Sequence, residues 1–174
     1  MKRRDFLALL AAAGLEIVLT PKIEAREDPL IAHLELALQH EFGVILQYIQ
    51  HLGKALAAGK DWEEVLEGII RDEVFHAVHL SEMLKRRGQE PTLAVWPPQT
   101  FSSLKRCLQV DLEAEQGAIS LYQKMLSLPY QSREKKWLAR FLTAEKHHYQ
   151  IFGTWLEEMR MPRVKRTLWR GLMG

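Results

Sequence analysis

Four stretches of this chain repeat apolar residues at alternating spacings of three and four, and each repeat is interrupted near its middle by a glutamate. Such spacing is the mark of helices packing along a seam. The first seam reads Ile31, Leu34, Leu38, Glu41, Ile45, Tyr48, Leu52, and the second Trp62, Val65, Ile69, Glu73, His76, Leu80, Met83. The third reads Phe101, Leu104, Leu108, Leu112, Glu115, Ile119, Tyr122, Leu126, and the fourth Leu138, Phe141, Glu145, His148, Phe152, Trp155, Met159. An ionised carboxylate buried without a partner is strongly destabilising, and four together repel one another. No Lys or Arg stands on these seams to compensate. Either the carboxylates take up protons or cations sit among them.

Two imidazoles favour the cations. His76 follows Glu73 by three residues and His148 follows Glu145 by three, so each Glu-x-x-His pair projects from one helix face. Four carboxylates and two neutral imidazoles balance two divalent ions in charge, and they offer the oxygen and nitrogen donors that iron or manganese accepts. Two helices giving one Glu and two giving Glu-x-x-His is the ligand pattern of di-iron and di-manganese bundles. An internal repeat supports the grouping. Glu41 to Tyr48 and Glu115 to Tyr122 share the pattern Glu-x-Gly-x-Ile-x-x-Tyr, and a Glu-x-x-His motif follows each at similar distance. Gly43 and Gly117 are expected to let a helix approach its neighbour or the metals. Tyr48 and Tyr122 have two readings, as hydrogen-bond donors to metal-bound carboxylates or as core aromatics.

The segments are bounded by ordinary signals. The first runs from about Leu30 to Ala58, and Asp61 with Glu64 resembles a capping box for the second, which ends near Arg87 with Gly88 placed to cap it. The third spans about Ser103 to Ser127, and Ser132 is placed to cap a fourth that reaches Arg160. Short links make each pair an antiparallel hairpin. The connection between the pairs carries Pro91, Pro97 and Pro98 and is expected to be extended. Fourteen extended residues reach about 46–50 Å, against about 40 Å for a 27-residue helix, so it spans the bundle and lets the second and third helices run parallel. The predicted fold is all-α, a four-helix bundle with one long crossover.

Residues outside the bundle carry different signals. Arg3-Arg4, one further residue, Phe6-Leu7 and an apolar stretch to Leu19 resemble a twin-arginine export signal, so 1–27 is set apart as a leader and 28–160 as the bundle. The expected location is across the cytoplasmic membrane, either free in the periplasm or tethered by a retained leader. The tail, 161–174, carries Arg163, Lys165, Arg166 and Arg170 among Leu168, Trp169, Leu172 and Met173, and has two readings: contact with an anionic membrane surface, or a solvated helix or partner contact. The single cysteine, Cys107, excludes an internal disulfide and every Cys-rich metal site, and is expected to be half-buried. A formal charge of +2 gives no argument for nucleic acid. His33 and His40 are expected at the surface, His51 partly exposed, and His79 and His147 peripheral.

These residues resemble the ferritin-like superfamily and, in detail, bacterioferritin. Asp72-Glu-Val-Phe-His-Ala77, continued by Leu80, Glu82, Gly88 and Pro91, is similar to that family's second helix and its exit. Glu41, Tyr48 and His51 match its first helix in spacing, and Glu145-Lys-His-His148 with Trp155 is similar to its fourth. The resemblance implies a ferroxidase centre that oxidises Fe(II) with oxygen or peroxide, in a homo-oligomeric cage that stores the ferric product. It implies Glu73 and Glu145 as bridging ligands, Glu41 and Glu115 as terminal carboxylates, and His76 and His148 as one nitrogen ligand per iron. Haem is not expected, because the haem-ligating Met of that family is replaced by Val74. Two other functions fit the same ligands: an oxygenase or hydroxylase acting on an organic substrate, for which the Glu-x-Gly and Tyr pattern resembles demethoxyubiquinone hydroxylases, and a non-enzymatic metal-binding or stress-protective bundle.

Overall fold

The computed structural model describes residues 29–160, so the leader and the tail lie outside the described residues. Four helices follow in order: α1 Pro29–Ala57, α2 Glu63–Lys85, α3 Leu104–Leu126 and α4 Ser132–Arg160. Among the described residues there is no strand. None of the four helices is long and apolar enough to cross a membrane.

Side-chain pairs give the directions. Glu41 meets Tyr122, Tyr48 meets Glu115 and Gln47 meets Asp111, so numbers rise along α1 as they fall along α3. Trp62 meets Trp155 and Arg87 meets Glu134, so α2 and α4 are antiparallel as well. With short links inside each hairpin, α2 and α3 run parallel, as the crossover length predicts. The crossover lies along α1 in α1's own direction: the Trp96 N–H donates to the Gln39 carbonyl at 2.9 Å and the Gln99 N–H to Gln47 Oε1 at 2.7 Å.

Helix ends agree with the sequence in part. Gly88 has φ +70° and Gly59 φ +67°, the left-handed conformation that closes a helix readily only with glycine. Ser103 caps α3, its side chain accepting from the Arg106 N–H. The N-cap position falls on Trp62, one residue beyond Asp61. Helix α2 starts at Glu63 behind Trp62, which makes no side-chain cap bond. Trp62 is buried and stacks on Trp155 at 4.4 Å, so burial of an aromatic sets this start. The α2 seam then continues through Leu66, 2% exposed, while Val65 is 44% exposed. Ser132 lies inside α4 rather than capping it. The carboxylate of Glu134 takes the Gln131 N–H at 3.0 Å and also binds Arg87, fastening the start of α4 to the end of α2.

The apolar core is in two parts. One gathers Leu34, Leu38, Leu80, Leu84, Met125, Leu138 and Phe141, together with Tyr122. The other gathers Trp62, Leu66, Ile69, Leu108, Phe152, Trp155 and Leu156, together with Tyr48. The seam glutamates lie at intermediate heights on every helix, so the fold encloses a polar layer between two apolar ones. Cys107 is fully buried rather than half-buried, its thiol donating to the Phe101 carbonyl at 3.4 Å.

The repeated glycines differ from expectation. A Cβ on Gly43 would sit 2.5 Å from the Trp96 carbonyl oxygen, so this glycine admits the crossover backbone, not a helix or a metal; a Cβ on Gly117 meets nothing within 4 Å. We expect Gly43→Ala to destabilise the bundle by about 1–3 kcal/mol, because the obstacle is backbone held by a hydrogen bond. Gly53→Ala, which meets nothing within 4 Å, should stabilise it by about 0.5–1 kcal/mol. Urea unfolding of the two variants checks both signs.

Candidate metal centre

Helical spacing alone carries six side chains into the middle layer. Glu41 comes from α1, Glu73 and His76 from α2, Glu115 from α3, and Glu145 and His148 from α4; each is at most 2% exposed. They form two overlapping groups, Glu41 with Glu73, His76 and Glu145, and Glu73 with Glu115, Glu145 and His148. Within each group one ligand atom per residue lies within 4.8 Å of all the others. Glu73 and Glu145 belong to both. All six sequence-predicted ligand residues are therefore brought together, in two half-sites that share two carboxylates.

The tyrosines close the arrangement across the halves. Tyr48 of α1 donates its hydroxyl to Glu115 Oε1 of α3, and Tyr122 of α3 donates to Glu41 Oε1 of α1. Both hydroxyls are satisfied by carboxylates while the rings pack in the two apolar layers, an arrangement common to both readings of these residues. Each bond occupies one oxygen of its carboxylate and leaves Oε2 without a partner.

The polar accounting shows what the site lacks. Buried polar atoms in folded proteins almost always have hydrogen-bond partners. Among the described residues nine buried side-chain nitrogen and oxygen atoms have none, and seven belong to these six side chains: Glu41 Oε2, both oxygens of Glu73, His76 Nδ1, Glu115 Oε2, Glu145 Oε1 and His148 Nδ1. His76 Nδ1 stands 3.0 Å from oxygens of Glu73 and of Glu145, and His148 Nδ1 stands 3.0 Å from Glu73. Nitrogen and carboxylate oxygen atoms that converge at this spacing from four helices suit a pair of cations, so the donor set fits two metal ions. Behind His148, Asp72 Oδ2 lies 3.3 Å from Nε2, where it orients the ring.

Without metal the layer holds protons instead. Burial raises the Glu145 carboxyl to about 8, with Glu73 and Glu41 adding repulsion. Burial likewise raises Glu41 and Glu115. On His148 burial opposes the charge, but the carboxylates of Glu73 and Glu115 and then Asp72 overcome it and raise the imidazole to about 9. His76 is raised in the same way by Glu145, Glu41 and Glu73. Glu73 alone is lowered: burial pushes it up, but both histidines hold it down. Burial keeps both tyrosine hydroxyls protonated well above their ordinary range, so they remain donors.

Beside the six lies a group that the sequence did not reveal. Asp111, 1% exposed, accepts from Gln47 Nε2 at 2.8 Å and meets His51 Nδ1 at 2.8 Å. Gln47 in turn holds the Gln99 N–H of the crossover. The signal was present, since Asp111 is one helical turn before Glu115, and Gln47 and His51 are one turn apart on α1. The third seam instead took Leu112, which is half-buried. His51 is correspondingly buried, not partly exposed. His40 is also buried, edge-on to Trp96, because the crossover covers it, and His33 is half-buried. His147 is exposed, and half-buried His79 packs against Phe75 and Trp137 with Nδ1 on the Phe75 carbonyl.

Comparison with solved structures places the fold. Mycobacterium tuberculosis bacterioferritin, BfrA, superposes with a TM-score of 0.70 at 19% identity, covering 76% of this chain and 87% of that one. This is a ferritin-like bundle. No protein-family model matches the chain, and no curated protein matches it by sequence.

Linkage fixes how the metal-free bundle responds to pH. Glu145 is raised from 4.5 to about 8 and His148 from 6.5 to about 9, so the folded state binds more protons than the unfolded one from about pH 4.5 to 9. Stability of the apoprotein should therefore fall as pH rises through that interval. Glu73, lowered, loses its contribution only in acid. Thermal melts of chelator-treated protein at pH 5, 7 and 9 test the slope. Glu41→Leu should raise the apoprotein's melting temperature at pH 8 by removing a buried carboxyl.

Proposed function

We propose that this chain is a ferroxidase of bacterioferritin type, which binds two Fe(II) in the middle layer and oxidises them with oxygen or peroxide. One observation carries the reading: two half-sites share two buried carboxylates, and seven of their inward atoms make no hydrogen bond. In this reading Glu73 and Glu145 bridge the ions, Glu41 and Glu115 each serve one ion, and His76 and His148 give one nitrogen apiece. Manganese suits the same donors. Two Fe(II) together supply the pair of electrons that reduces oxygen to peroxide, or peroxide to water.

The protein's own part is positional and electrostatic. Four carboxylates neutralise two divalent ions and hold the added charge when both become ferric. Tyr48 and Tyr122 fix the rotation of the two terminal carboxylates, so that Oε2 of each faces inward. Asp72 holds the His148 ring from behind. The apolar layers above and below keep bulk water from the centre.

A hydroxylase calls for an apolar cavity that reaches the metals. The apolar cavity beneath the crossover is lined by none of the six ligand residues. The cavity between α2 and α4 that does reach one of them, His148, also carries Arg71, Asp72 and His147, a polar lining that suits the approach of an ion better than that of an apolar substrate. Self-association is part of the proposal. Leu46, Ile49 and Leu56 on α1 and Val74 and Val78 on α2 are each more than two-fifths exposed, an apolar outer surface suited to contact with further copies. Export of the already folded chain by a twin-arginine-type route belongs to the same proposal and rests on residues 1–27.

Anaerobic Fe(II) titration of the full chain should give two ions per chain. Glu73→Ala and Glu145→Ala should each lose both, whereas Glu41→Ala and Glu115→Ala should each retain one. Two ions at full occupancy in both bridging variants would refute the assignment. Affinity should rise with pH up to about 9, since loading expels the protons of Glu145 and His148. On aerobic loading, iron eluting with a large assembly supports storage. Bound Fe(II) that does not oxidise selects a metal-binding protein without ferroxidase activity.

A further inference from the structure

A cavity of about 280 Å³ lies between α1, α3 and the crossover. Its apolar walls include Val44 of α1 and Val110, Ala114 and Leu121 of α3, and its roof is Trp96, Pro97 and Pro98. The roof is pinned on both sides, by the Trp96 N–H on the Gln39 carbonyl and by the Gln99 N–H on Gln47 Oε1. Between those pins Pro97 and Pro98 have no N–H, so their backbone can only accept, while the side chains of Trp96 and Gln99 bring donors to the same wall. Glu113, at the wall on α3, is exposed and its carboxylate pairs with Arg106 at 3.4 Å. His40 also lines the space; it is 8% exposed and its Nδ1 has no partner. Beside Gly117 the space is open, since a Cβ there meets nothing within 4 Å.

We propose that this cavity is a binding site for a small planar aromatic molecule carrying one hydroxyl donor, of the phenol or naphthol class. The volume of about 280 Å³ is just below the range of drug-sized ligand pockets, about 300 to 1,000 Å³, and so admits one or two rings. Aliphatic walls and a proline roof suit flat apolar faces, and the buried His40 Nδ1 without a partner calls for a hydroxyl on the ligand. Gly117 acquires a role here: its missing side chain leaves the cavity empty. The site is independent of the metal reading, yet it adjoins the centre in the chain, since His40 and Ala114 immediately precede Glu41 and Glu115.

The probe is 2-naphthol, titrated calorimetrically into the full chain, with naphthalene as the counterpart lacking the hydroxyl. One saturable site per chain is expected for 2-naphthol, with naphthalene at least tenfold weaker. Gly117→Leu, which fills the space from an exposed helical position, should weaken 2-naphthol at least tenfold while melting at or above the parent's temperature. Leu36→Trp fills it from the opposite helix at a position already 42% exposed, and should weaken binding likewise. Absence of saturable binding overturns the proposal. So does 2-naphthol binding that both variants leave unchanged, or naphthalene binding as tightly as 2-naphthol.

Discussion

Mutual repulsion among buried carboxylates is the constraint on which the rest of this bundle depends. Four glutamates and two histidines occupy a layer that packing alone would fill with leucine, and no lysine or arginine is among them. Each consequence follows from keeping that layer closed. The apolar core divides above and below it, so that burial at the two ends holds the helices against repulsion in the middle. The tyrosines bring hydroxyls in from both layers and satisfy the outer oxygens, leaving only inward atoms unpartnered.

The crossover serves the same end. It seals the α1–α3 side, where Gly43 lets its backbone lie against the helix and Gln47 ties it to Asp111. The α2–α4 side is fastened at one end by Arg87 on Glu134 and at the other by the stacked Trp62 and Trp155. The two α2–α4 fastenings lie at the ends of the bundle, whereas the crossover's tie through Gln47 and Asp111 lies beside the glutamates.

The helices and the six inward side chains were legible in the sequence because both obey the same period. A glutamate at a seam position has nowhere to go but inward, and His76 and His148 follow from the pitch of the helix. What the sequence did not reveal depends on contacts that no period encodes. His40 and His51 are buried by the crossover and by Asp111, partners distant in the chain. Asp61 looked like a cap, but the burial of Trp62 decided where α2 begins. Gly43 and Gly117 hold matching places in the repeat and have different neighbours, since the crossover backbone lies against one and stands off from the other.

The crossed tyrosines have a consequence for how the two halves of the chain relate. Each hairpin carries a glutamate that the other hairpin's tyrosine must satisfy, and each contributes one of the two shared carboxylates. Neither hairpin owns a complete half-site. The pseudo-twofold axis between them therefore behaves as a subunit interface folded into one polypeptide, and the unit that can be exchanged or duplicated without losing the centre is the pair.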